Sequence, residues 1–127
     1  MKKLEKLPES EFEIMKVIWK AEPPINSGYL MEQLGAERNW KIQTLLTLLS
    51  RLCDRGFLYS EKHGKERSYF PLVERDDYLR FESDSFLNRV HEHSVLSLMN
   101  ALYDGSGITE ADLDELQAFI DQKKDKD

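Results

Sequence analysis

The stretch WKIQTLLTLLSRLCDRGFL, from Trp40 to Leu58, carries Lys41, Gln43, Thr44, Thr47, Ser50, Arg51 and Asp54 along one side of a helical repeat. The opposite side holds Ile42, Leu45, Leu48, Leu49 and Leu52, an apolar stripe able to bury against neighbouring helices. The polar side has small hydroxyls and an amide where a solvent-facing helix usually carries charge. Gln can make a bidentate contact to adenine, and Thr offers a hydroxyl together with a methyl that can meet thymine's. Lys and Arg reach guanine or phosphate. The helix taken alone is equally compatible with an ordinary solvent face.

Other reactive side chains do not assemble into a site. His91 and His93 are two residues apart, a spacing that points them to different sides of a helix, whereas a shared ligand pair needs three or four. Glu110, Asp112, Asp114 and Glu115 cluster at the start of a helical segment, where negative charge is favourable for the helix itself. Cys53 is the single cysteine; it can form neither a disulfide framework nor a thiolate metal site within one chain and reads as packing. No nucleophile–base pairing, glycine-rich phosphate loop or metal-ligand cluster is present, so neither catalytic residues, a bound metal nor a small-molecule cofactor is expected.

The chain has 127 residues, 40% of them hydrophobic, and a formal net charge of −6. That charge argues at first against an anionic partner, but it is unevenly placed. Residues 1–75 hold 13 Lys and Arg against 11 Asp and Glu, and residues 76–127 hold 5 against 13. Within 38–67, seven basic residues (Arg38, Lys41, Arg51, Arg55, Lys62, Lys65 and Arg67) face three acidic ones. The acidity thus belongs to the second half, and the first remains able to meet phosphate. MKKLEKLPES has no apolar stretch behind its basic start, and no run reaches the roughly 18 apolar residues of a membrane span. A cytoplasmic protein is expected.

The polar face of 40–58 needs elements to position it. Ser10 and Glu13 have the form of a capping box, followed by Phe12, Met15, Ile18 and Trp19 at helical spacing, which predicts a helix over 9–20. Glu22-Pro23-Pro24 ends it. Ser27 is placed to cap a short second helix with Tyr29, Leu30, Met31 and Leu34, ending near Gly35; the third runs from about Trp40 to Arg55 with Gly56 as its C-terminal cap. The period then changes. FLYSEKHGKERSYFPLV places Phe57 and Tyr59 before His63-Gly64-Lys65, and Tyr69, Leu72 and Val73 after it, the pattern of a hairpin. Three helices and a hairpin are the order of a winged helix-turn-helix domain, whose third helix enters the major groove. Lys62, His63, Lys65 and Arg67 at the hairpin turn supply phosphate contacts, which favours the DNA-reading interpretation of the third helix.

The second half is helical: Tyr78, Leu79, Phe86 and Val90 mark one helix and Val95, Leu98, Met99 and Leu102 another. A third, capped by Thr109 after the loop Asp104-Gly105-Ser106-Gly107, bears Leu113, Leu116, Phe119 and Ile120. The expected architecture is mainly α: a winged-helix DNA-binding domain over 1–75, a three-helix dimerisation domain over 76–123 and a disordered tail over 124–127. These 52 residues from 76 onward are near the lower limit for independent folding and offer more apolar face than three helices can bury among themselves. A second copy of the chain is the simplest partner, with Leu79, Phe86, Val90, Leu98, Leu102, Leu113, Leu116 and Ile120 at the interface. The competing reading is a winged-helix protein-interaction module without sequence-specific DNA binding.

Taken together, ESEFEIMKVIW, TLLTLLSRLCDRGFL and GKERSYFPLV resemble the penicillinase repressor family, which includes the methicillin-resistance and the copper-responsive repressors. The resemblance implies a homodimer that binds a palindromic operator and represses transcription. It places Thr44, Thr47 and Arg51 on the family's recognition-helix pattern, with Lys41 and Gln43 preceding it where polar residues are usual. Leu46 departs from that pattern, which more often has a polar or basic residue there. Copper-responsive members carry a C-terminal cysteine cluster suited to Cu(I), and the second half here has no cysteine. The β-lactam-responsive members are cut at an Asn followed by an aromatic residue once a membrane receptor senses the antibiotic. In VLSLMNALYDG the corresponding bond joins Asn100 to Ala101, with alanine in place of the aromatic, and a membrane-bound sensor protease pathway is the implied partner.

Overall fold

Helix α1 (Glu9–Lys20) buries Ile14, Met15 and Ile18 on one face, with Phe12, Val17 and Trp19 packed at its margin. The computed structural model describes residues 3–125, which form two compact units divided between Glu82 and Ser83. The bounds of α1 are those expected, but the Ser10–Glu13 capping box does not form. Pro8 occupies the N-cap, has no side-chain acceptor, and offers its carbonyl to the Phe12 N–H at 2.9 Å. The helix therefore begins before Ser10 can act as a cap. Glu13 pairs instead with Lys16 at 2.9 Å and Arg38 at 2.8 Å. Its hydrogen bond from Lys16, more than that from Arg38, holds its carboxyl below the usual range.

After α1 comes a two-residue strand, β1 (Ile25–Asn26), that the sequence pattern did not indicate. Helix α2 spans 27–38, with a wider π-helical turn at Met31–Gly35 between its α-helical ends, Ser27–Leu30 and Ala36–Arg38. Its cap is Asn26 rather than Ser27: the Asn26 side-chain oxygen accepts the Tyr29 N–H at 2.8 Å, the ordinary role of an Asn cap. Nor does α2 stop near Gly35. It continues to Arg38 and ends where Asn39 takes a left-handed conformation, φ 58°, which Asn tolerates better than most residues.

Helix α3 (Ile42–Asp54) buries Leu45, Leu48, Leu49 and Leu52. Ile42, expected in the core with them, is 46% exposed: it is the first helical residue, and the buried stripe begins one turn later. Gly56, at φ 84°, closes the helix. The Gly56 N–H donates to Cys53 O at 3.0 Å and the Phe57 N–H to Leu52 O at 2.9 Å, a Schellman pair that satisfies two terminal carbonyls and turns the chain toward the hairpin. Strands β2 (Leu58–His63) and β3 (Glu66–Pro71) pair antiparallel from Leu58↔Pro71 to His63↔Glu66. The two-residue turn has Gly64 first, at φ 65°, the position at which a type II′ turn requires a positive angle. Tyr59 and Phe70 face each other across the strands and stack with centroids 4.8 Å apart. β1 adds to the outer edge of β3 through Ile25↔Tyr69, giving the order β1-β3-β2.

Helix α4 (Arg75–His91) starts inside the first unit. Tyr78 is fully buried, its hydroxyl accepts the Leu7 N–H at 2.9 Å, and its ring lies among Phe12, Trp19, Phe57 and Phe81 at centroid distances of 5.5 to 6.1 Å. The Trp19 indole N–H donates to Val73 O at 2.9 Å. These contacts carry the first unit to Glu82, so the division lies beyond the boundary expected after residue 75. In the second unit α4 ends at His91, followed by α5 (Val95–Asp104) and α6 (Glu110–Lys124). Ser94 caps α5 and Thr109 caps α6, the latter in a full capping box with Asp112. Lys124, placed with the tail by the sequence pattern, is still helical; residues 126 and 127 lie outside those described.

Candidate nucleic-acid interface

The turn between α2 and α3 sets the presentation of the reading face. The Trp40 N–H donates to Gly35 O at 3.1 Å, drawing the extended residues after Asn39 back against α2. Lys41 then stands at the N-cap of α3 in an extended conformation, making no side-chain cap. With the leucine stripe turned inward, Lys41, Gln43, Thr44, Thr47, Ser50 and Arg51 are all exposed. Gln43, Thr44, Thr47 and Arg51 line one shallow surface hollow together. The Thr47 hydroxyl donates to the Gln43 carbonyl at 3.0 Å. Its hydrogen is thereby used within the helix, and its oxygen remains an acceptor.

Seven basic residues lie within 38–67, and the fold sorts them. Arg38 is held by Glu13. Arg55 bonds through Nε to Glu11 at 2.7 Å and through Nη1 to Glu5 at 2.6 Å; its charge compensates Glu11, which is 1% exposed in the core. The hydrogen bond to Glu5, opposed by partial burial and reinforced by Glu11, raises the pKa of Arg55 above its already high ordinary value. Lys41, Arg51, Lys62 and Lys65 make no ion pair among the described residues. Arg67 donates through Nη1 to the Ser60 hydroxyl at 2.8 Å across the hairpin, which holds one edge of its guanidinium while its charge stays uncompensated. These five cations stand exposed on α3 and the wing. His63, at the wing tip, sits 3.3 Å from Glu61.

The sequence pattern missed the residues that position the wing. Asn26 caps α2 and also donates through Nδ2 to Glu66 at 2.6 Å, tying the start of β3 to the helix behind it. The dipeptide Asn26-Ser27 held the signal, since Asn is as good a cap as Ser. Cys53 is half-buried against the core beside Ser60, Arg67 and Tyr69; burial pushes its thiol up, away from nucleophilic use. Among the described residues no group of three or more His, Cys, Asp and Glu could hold a metal ion. His91 Nδ1 lies 2.9 Å from the Ser97 hydroxyl at the turn between α4 and α5. No described helix is long and apolar enough to cross a membrane.

A three-helix head, a two-stranded wing and an exposed polar face on the third helix define a winged helix-turn-helix protein. The profile of the family described as Penicillinase repressor matches residues 7–122, and the chain belongs to that family. It is 30% identical over 126 residues to the penicillinase repressor of Bacillus licheniformis, covering 99% of this chain and 98% of the relative. It is 26% identical to the methicillin resistance regulatory protein MecI of Mammaliicoccus sciuri, with 92% and 94% covered. The solution structure of the DNA-binding domain of the repressor BlaI superposes with a TM-score of 0.54 at 36% identity, covering 61% of this chain and 94% of that one. The monomeric form of Bacillus licheniformis BlaI in complex with the blaP half-operator gives 0.51 at the same identity and coverage.

Proposed function

We propose that this chain is a cytoplasmic, homodimeric transcriptional repressor that reads a palindromic operator with α3 and grips the flanking phosphates with its wing. The sorting of cations carries the reading: the head's own carboxylates neutralise Arg38 and Arg55, whereas Lys41, Arg51, Lys62, Lys65 and Arg67 are left for an external anion. Gln43, Thr44, Thr47 and Arg51 face base edges; Lys62, Lys65 and Arg67 face phosphate. The solved complex of a relative with its half-operator supports operator binding by a head of this fold.

Dimerisation rests on the second unit. Phe86, Val90, Leu102, Leu113 and Ile120 are between 40% and 47% exposed, Leu98 and Leu116 are half-buried, and a second copy would cover them; Leu79, also half-buried, belongs to the last helical turns of the first unit. Two linked heads bind a two-fold operator far more tightly than one, so loss of the dimer releases the DNA. Cleavage between Asn100 and Ala101 in response to β-lactam, through a membrane-bound sensor protease, is the corresponding release step. Both residues are exposed on α5, and the helix must open locally before a protease can take the bond in extended form. An intact chain in receptor-bearing cells that have begun transcription under antibiotic, seen by mass spectrometry, rules cleavage out.

Selection of bound duplexes from random DNA by the purified protein, with its mass in solution measured alongside, tests the main reading. A palindromic consensus and a dimer mass support it; a monomer with no salt-sensitive DNA binding favours the protein-interaction alternative. Arg51→Ala should cost about 1–3 kcal/mol on operator and relax specificity there, while Lys65→Ala should weaken all sequences alike and lower the salt slope by about one.

A further inference from the structure

We infer that Leu46 is a specificity-determining residue that reads the C5-methyl group of thymine in the major groove; this rests on the proposed DNA-binding role of α3. Leu46 sits in the second turn of α3 between Gln43 and Thr47, and it is 38% exposed although Leu45, Leu48 and Leu49 of the same run are buried. Ile42, one turn earlier on the same edge, is 46% exposed. The two make a short apolar strip beside the hydrogen-bonding strip of Gln43 and Thr47. The cleft that Leu46 lines is walled on its far side by Lys65, Arg67 and Tyr69 of the wing. Wing cations that hold the backbone would bring the groove floor onto this edge.

The chemistry of the groove leaves one good occupant. Of the base edges presented there, only thymine offers an apolar group; the others offer donors or acceptors. Pressing Leu46 onto an amino group or a ring nitrogen would strip its water without returning a hydrogen bond. Against a methyl, the same contact removes apolar surface from water on both sides. Thr47 adds to this bias, because its hydroxyl hydrogen is already committed to the Gln43 carbonyl. Leu46 thus acts by selecting for thymine and by penalising its replacements at one position of each half-site.

The test uses the full-length protein and the operator it selects from random DNA. Each thymine is replaced singly by deoxyuracil, which removes only the methyl, and affinity is measured by fluorescence anisotropy for the wild-type protein and for Leu46→Ala. One thymine per half-site should lose about fourfold in affinity with the wild-type protein, the ratio for one buried methyl group, and should show no loss with Leu46→Ala. Uniform indifference to deoxyuracil, or an equal loss in both proteins at every thymine, overturns the inference while leaving the DNA-binding role standing. Failure to enrich any sequence removes that role, and the inference falls with it. Because Leu46 is on the surface, retention of the wild-type unfolding midpoint by the variant is expected; if Leu46→Ala unfolds, Leu46→Gln, which keeps the side-chain volume and replaces the apolar tip with an amide, takes its place in the same series.

Discussion

The two units of this chain solve the same problem in opposite ways. All fifteen buried hydrophobic side chains among the described residues belong to the first unit, running from Leu7 to Tyr78. In the second, neither α5 nor α6 buries a side chain, and Phe86, Val90, Val95, Leu96, Leu102, Tyr103, Leu113, Phe119 and Ile120 are at least 40% exposed. Full burial of a Leu, Ile, Phe or Met contributes about 1.5–3 kcal/mol, so the head has a core that can sustain it. The second unit has capped helices and apolar faces but nothing of its own to cover them. In the proposed dimer, the head's stability is its own and that of the remainder depends on concentration.

The largest expected effect is at the apolar faces. Ile120→Lys puts a charge on the exposed strip of α6 and should halve the mass seen by sedimentation while the head stays folded; operator affinity should drop by about 10²–10⁴ as linked binding is lost. A dimer unchanged by the substitution would move the proposed contact away from α6, and a monomeric wild type would remove it.

Within the head, Arg55→Ala leaves the buried Glu11 carboxylate without its partner and should cost about 3–5 kcal/mol in urea unfolding. A cost below 1 kcal/mol would mean that water reaches Glu11 once the guanidinium is gone. Tyr78→Phe removes the acceptor for the Leu7 N–H and should cost about 1–3 kcal/mol near neutral pH. Burial pushes the Tyr78 hydroxyl up to about 12. A raised phenol favours the protonated folded state, so its contribution is complete below the ordinary value of 10 and disappears as pH rises toward 12. The gap between wild type and Tyr78→Phe should therefore narrow across that window, and a constant gap would place the hydroxyl in contact with water. The smallest effect belongs to Thr109→Ala, which removes one half of the α6 capping box. It should cost about 1 kcal/mol, visible in the concentration-dependent transition and absent from unfolding of the head.

Much of the head was legible because local rules and tertiary packing agree there. The end of α1 before Pro23-Pro24, the Gly56 stop and the Gly64 turn each follow from the conformational preference of one or two residues. The leucine stripe of α3 follows from helical period. The polar face of α3 was legible for the same reason, as the complement of a stripe that had to be buried. Where two local signals competed, sequence could not choose: Ser10 lost to Pro8 as the end of α1, and Ser27 lost to Asn26. Strand β1 was invisible because two residues carry no period; it exists only because the edge of β3 lies beside Ile25 and Asn26.

By itself, then, the sequence determined which side chains carry hydrogen-bonding and cationic chemistry, which stripe turns inward, and where α3 stops, since these depend on neighbours a few residues away. Only the tertiary structure decided which cations are free. Glu5, Glu11 and Glu13 are distant in sequence from Arg55 and Arg38, and a charge is neutralised by what folds within hydrogen-bonding distance of it. It also left Ile42 and Leu46 exposed, Leu46 in a cleft facing the wing, because an apolar residue on the margin of a helix stays in the open when no other element of the fold covers it.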